Sequence, residues 1–136
     1  MRATDAMRAE VVGLAAKRCE YCRSPQDFST QPFSIDHITP MVKGGDTVIP
    51  NLALACQGCN GYKYTKIKAA DPVTGKIVAL FHPRQHRWGD HFSWDETCCR
   101  LIGMTPTGRA TIHLLRLNRS EFLNLRRVLV GFGEHP

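Results

Sequence analysis

Cys19-Glu20-Tyr21-Cys22 and Cys56-Gln57-Gly58-Cys59 are two CxxC pairs separated by 33 residues. Two residues between cysteines let both thiolates face one ion from a tight knuckle, and two knuckles complete a tetrahedral four-sulfur site. This spacing restricts what residues 19–59 can fold into, because whatever lies between the pairs must begin and end at one metal. The chain has no apolar run of bilayer length and no continuous apolar core after its first residues, so the sequence predicts a cytoplasmic protein without a membrane span. Thiols stay reduced in that compartment, which favours structural Zn2+ over disulfides. A site closed by four cysteines has no open position, so it holds structure and does not activate water. Cys98 and Cys99 are adjacent in an expected strand and read as packing residues.

The length fits one domain with a core of its own, and apolar content of 43% argues against wholesale disorder. A net charge of +6 favours a polyanionic partner. The excess does not mark a face: residues 1–68 and 69–136 each carry nine Lys or Arg and six Asp or Glu.

Residues 4–18 read as a helix capped by Thr4, with Lys17 and Arg18 in its last turn and Met7, Val11 and Leu14 on one apolar stripe. A short strand is expected over residues 33–38, ending at Thr39-Pro40, and a second over residues 47–49 after the Gly44-Gly45-Asp46 turn. Residues 60–70 suit a helix with Lys63, Lys66 and Lys68 exposed. Residues 76–81, 91–94 and 99–104 suit strands of a small antiparallel sheet. Thr105-Pro106 starts a helix lined by Ala110, Leu114 and Leu117. Asn118 closes it and caps the next, with Glu121 as capping-box partner and Phe122, Leu125 and Leu129 as its stripe. Arg116, Arg119, Arg126 and Arg127 read either as a phosphate-binding face or as the wet side of these helices. Trp94 is expected in the core.

Between the knuckles lie Asp36 and His37, near a strand end, and Asn60 opens the helix that leaves the second knuckle. If the zinc folds these segments together, Asp36 and Asn60 converge as oxygen donors on one hard cation, Mg2+ or Mn2+, with His37 beside it as a general base.

The order CxxC, Asp36-His37-Ile38-x-Pro40, Gly44-Gly45, Asn51-Leu52, Cys56-x-x-Cys59-Asn60-x-x-Lys63 resembles the HNH endonucleases of ββα-metal fold, in their four-cysteine version. The resemblance covers residues 19–66, and the stretch from Phe81 to Arg119 also looks like the tail of a bacterial HNH subfamily. It implies an α+β fold: a ββα-metal core over about residues 19–68 with flanking helices and a small sheet, in one nuclease domain spanning 1–136. It implies hydrolysis of DNA phosphodiester bonds. His37 matches the general base, Asp36 a ligand of the catalytic divalent metal, and Asn51 the middle position that braces the loop. Asn60 matches the last position, where the family's name has His; an Asn there still supplies an oxygen ligand. Lys63 matches a basic position after the Asn and reads either as a phosphate contact or as a solvated helix-face Lys; Lys66, on the same expected helix, is a second nucleic-acid-binding candidate. A zinc-binding module that grips nucleic acid without cutting, or a zinc-knuckle scaffold for protein partners, needs no base beside an oxygen-rich cation site. Oligomeric state is not encoded in any of these motifs.

Overall fold

The computed structural model describes residues 2–136. The fold is α+β, and the chain divides into two compact units: one runs to Ile67 and includes His82–His86, the other comprises Lys68–Phe81 and Arg87–Pro136. No helix among the described residues is long and apolar enough to cross a membrane.

In the first unit, helix α1 spans Asp5–Leu14, and Thr4 Oγ1 accepts from the Met7 N–H at 3.1 Å, the expected cap. The helix stops before Lys17 and Arg18, contrary to expectation, because Ala16 and Lys17 adopt left-handed φ of 52° and 60°. Of its predicted stripe only Val11 is buried; Leu14 is exposed. Strand β1, Ser34–His37, pairs antiparallel with β2, Leu52–Ala55, with Asp36 opposite Ala53 and His37 opposite Leu52. The strand expected at residues 47–49 is instead a bend at Thr47 and Val48 leading into a 3₁₀ turn, Ile49–Asn51, and the pairing falls on residues 52–55. All four β2 residues are fully buried, so the strand is covered on both faces and shows no polar alternation to betray it. Helix α2, Gln57–Lys63, packs on both strands and completes a ββα unit. It starts three residues earlier than expected and ends at Lys63, where Tyr64 takes φ 49°.

In the second unit, strand β3, Lys68–Ala70, replaces the end of the expected helix and pairs antiparallel with β4, Ile77–Ala79. The Asp71–Gly75 turn joins them. Asp71 is completely buried, accepts from the Val73 N–H and the Thr74 hydroxyl, and receives both Nε and Nη2 of Arg109 at 2.9 and 2.8 Å. A short helix α3, Trp88–His91, leads into β5, Phe92–Trp94, which pairs with β6, Leu101–Gly103. Among the described residues the strands thus form three separate two-stranded sheets. Cys98 and Cys99 lie in the turn between β5 and β6, not in a strand, and both are half-buried. Trp94 is also half-buried, in edge contact with His135 at 4.4 Å. Helix α4, Pro106–Leu115, has the expected Thr105 cap on the Gly108 N–H and buries Leu115 where Leu114 was expected. Helix α5 spans Ser120–Gly131. Asn118 does not cap it: its amide binds both backbone groups of Leu101, at 2.7 and 2.8 Å, as a strand would. Arg126 is buried rather than wet, donating to the Cys99 and Leu117 carbonyls.

Candidate functional site

The four knuckle sulfurs, all buried, lie within 4.8 Å of one another. Cys22 Sγ and Cys56 Sγ are 3.8 Å apart. A zinc–sulfur bond of about 2.3 Å places tetrahedral sulfurs roughly 3.8 Å apart, so the cluster fits that ion. Each knuckle directs a backbone N–H onto its first sulfur, Cys22 N–H to Cys19 Sγ at 3.5 Å and Cys59 N–H to Cys56 Sγ at 3.4 Å. Burial pushes the Cys19 and Cys59 thiols well up, while hydrogen bonds from the other cysteines, Cys19 first, hold Cys56 far below the usual thiol range. Four thiolates this close together need a cation to offset their charge. The first knuckle is tied to β2 through Glu20, whose N–H donates to the Leu54 carbonyl and whose carboxylate accepts from the Leu54 N–H, both at 2.8 Å. Arg84, from the His82–His86 segment, closes a two-pronged pair on the same carboxylate.

His37 ends β1. Its Nε2 lies 2.9 Å from Thr47 Oγ1, and its Nδ1 has no hydrogen-bond partner among the described residues. The intervening loop is closed by Asn51, whose amide accepts from the Thr39 N–H at 2.8 Å and donates to the Thr39 and Asp46 carbonyls at 2.9 Å each. Gly45 makes that closure sterically possible, since a Cβ there would sit 1.7 Å from the Thr39 carbonyl oxygen.

Asp36 alternates to the other side of β1 and is buried. Its Oδ2 accepts from the Tyr21 hydroxyl at 2.7 Å and lies 3.1 Å from Lys63 Nζ. Lys63 is 1% exposed and also donates to the Ile38 carbonyl at 2.9 Å, which corrects the expectation that it sits on the helix surface. Burial pushes the Asp36 carboxyl up, against the pull of Lys63 and the Tyr21 hydrogen bond. Lys66 is exposed, as expected.

Asn60 makes no side-chain hydrogen bond among the described residues and shares two concavities with His37. The first, of about 620 Å³, is also walled by Arg2, Asp5 and Arg8 of the N-terminal segment; the second, of about 250 Å³, includes Asp36. The structure thus brings His37, Asn60 and the edge of Asp36 to one place, with Asn51 behind the loop. Tyr21, Thr47 and Arg8 were not identified from sequence. Tyr21 lies between the first two cysteines and Thr47 next to Asp46, but neither has a local pattern marking it; Arg8 read as an ordinary helix residue.

Residues 19–66 match the HNH endonuclease family model. This stretch is similar to an HNH endonuclease core. It contains both knuckles, the β1–β2 pair and α2, so the four-cysteine, ββα reading of the HNH segment holds. The chain is also similar to the Septu protein PtuB of Bacillus thuringiensis, at 24% identity over 127 residues, covering 92% of this chain and 46% of that protein. The chain therefore spans about half the length of that curated relative. No solved structure matches.

Proposed function

We propose that the protein is a metal-dependent HNH-type endonuclease that hydrolyses DNA phosphodiester bonds with His37 as general base. The observation that carries this reading is the shared concavity: a His with one bare ring nitrogen and an Asn with an unengaged amide line the same hollow, beside two arginines. His37 takes a proton from water as that water attacks phosphorus. Asn51 keeps the loop closed around His37. Arg2, Arg8 and Lys66 offer charge to backbone phosphates, so affinity falls steeply with salt. Lys63 is assigned to Asp36 and not to phosphate, since its ammonium is buried. The donor set of Asp36 and Asn60, carboxylate and amide oxygen, fits a hard cation such as Mg2+ or Mn2+. When bound, such an ion supplies charge stabilisation at the phosphate and the departing 3′ oxygen.

Nicking of supercoiled plasmid by the zinc-loaded protein, with Mg2+ or Mn2+ and with chelator, tests the reading. Wild type cuts only with added metal, and His37→Ala keeps its fold and DNA binding but loses cutting. If His37→Ala cuts as well as wild type, the mechanism is wrong. The pairing of Asp36 with Lys63 favours one alternative, a zinc module that binds nucleic acid without cutting; DNA binding with no cutting in either metal would establish that instead.

A further inference from the structure

We propose that Thr47 is a positioning residue that selects which nitrogen of His37 acts as the base: Nε2–H donates to Thr47 Oγ1, leaving Nδ1 as the proton acceptor. This rests on the nuclease reading for its chemistry but not for its geometry. The contact is 2.9 Å, between Nε2 and the hydroxyl, and Nδ1 carries no hydrogen bond to any described residue. Thr47 is not held casually. Asn51 grips the Asp46 carbonyl immediately before it and both backbone groups of Thr39, the second residue after His37. The Ile38 N–H donates to the Asn51 carbonyl at 2.8 Å, so the two ends of the loop are tied at the His itself. Gly45 allows the backbone to close to a distance no side chain would tolerate. The bracing Asn therefore reaches the imidazole through Asp46 and Thr47.

A neutral imidazole has one donor and one acceptor nitrogen, and the hydrogen bond at one fixes the other. If the hydroxyl donated to Nε2, Nδ1 would carry the proton and could take none. With Nε2–H donating, Nδ1 keeps its lone pair. In the reaction a water O–H bond breaks and an Nδ1–H bond forms. The water oxygen bonds to phosphorus, the P–O3′ bond breaks, and the 3′ oxygen takes a proton from solvent. The imidazolium so formed keeps its Nε2–H on Thr47 and returns the Nδ1 proton to solvent.

The test uses the zinc-loaded full chain with 15N-labelled histidine, as wild type, Thr47→Val and Thr47→Ser. Long-range ring correlations assign the His37 tautomer without any need for turnover, and plasmid nicking gives kcat and KM. Wild type and Thr47→Ser are expected to show the Nε2–H tautomer; Thr47→Val, which keeps the shape and loses the hydroxyl, shows a mixture. Thr47→Val is expected to lose at least tenfold in kcat with KM within twofold, and Thr47→Ser to recover most of it. An Nδ1–H tautomer in wild type, or a Thr47→Val protein with unchanged tautomer and kcat, overturns the proposal. A wild type with the Nε2–H tautomer that cuts nothing instead overturns the nuclease reading and leaves Thr47 holding His37.

Discussion

Replacing Lys63 by Met tests whether a buried ion pair holds the ββα unit together. Lys63 and Asp36 are 1% and 5% exposed, with Nζ 3.1 Å from Oδ2. Nζ also bonds the His37 and Ile38 carbonyls at 3.3 and 2.9 Å. Met preserves the stem's volume and removes the charge, so packing loss is small and the cost is electrostatic. Removing one partner of a buried pair strands the other, at about 3–5 kcal/mol. Two carbonyls left without their charged donor place the loss toward the upper end of that range. The loss depends on pH in a defined direction. Burial already raises the folded-state Asp36 value above the unfolded one, so stability falls as pH rises through the interval between them. Lys63 limits that interval; without it the folded-state value rises further and the interval extends toward neutrality. Urea unfolding of the zinc-loaded protein should therefore show Lys63→Met closer to wild type near about pH 5 than near about pH 8. Adding Asp36→Asn removes the stranded charge, so the double variant should be more stable than Lys63→Met alone. A loss below about 1 kcal/mol near neutral pH, with no relief from Asp36→Asn, would refute the buried-pair argument.

The zinc cluster predicts one zinc per chain by elemental analysis, and Cys56→Ser is expected to lose both the ion and the cooperative unfolding of the first unit; a metal-free wild type with full secondary structure would contradict this. In the second unit, the Arg109 guanidinium holds the Asp71 carboxyl well below the usual carboxylate range. That stabilisation is complete above the unfolded value and lost as pH falls through the folded one. Arg109→Gln should move acid unfolding, followed by Trp88 and Trp94 fluorescence, to higher pH; superimposable acid curves would contradict it.

What the sequence revealed about fold and site was mostly what depends on near neighbours. The knuckles are CxxC pairs, and the caps at Thr4 and Thr105 act on N–H groups three residues away. Residues whose partners are distant in the chain were misread. Lys63 lies in a helix and reads as a surface lysine until Asp36, 27 residues earlier, is seen under it. Arg126 reads as a wet helix residue, yet its partner carbonyl is at Cys99. Residues 68–70 read as the end of a helix because nothing local reveals their pairing with residues 77–79. The β2 run Leu-Ala-Leu-Ala is hidden for the opposite reason: burial on both faces removes the alternation that marks a strand. Asp36, His37, Asn51 and Asn60 were each picked out by motif order, but motif order says nothing of which oxygen or nitrogen is already engaged.

That distinction bears on how the proposed site gathers charge. Asp36 is neutralised by Lys63, Asn60 is uncharged, and Arg2 and Arg8 outweigh Asp5 on the wall of the larger concavity. The hollow beside His37 therefore offers a divalent cation oxygen atoms but little net negative charge. It offers an anion the reverse, two guanidinium groups without a matching pair of carboxylates. On the nuclease reading, a DNA phosphate would bring the negative charge that a hard cation lacks here, and the cation would in turn neutralise part of the phosphate's charge. Each then raises the affinity for the other by the same factor, as linkage requires. On that reading, metal binding is expected to be weak in the absence of DNA, because Lys63 already offsets the Asp36 charge.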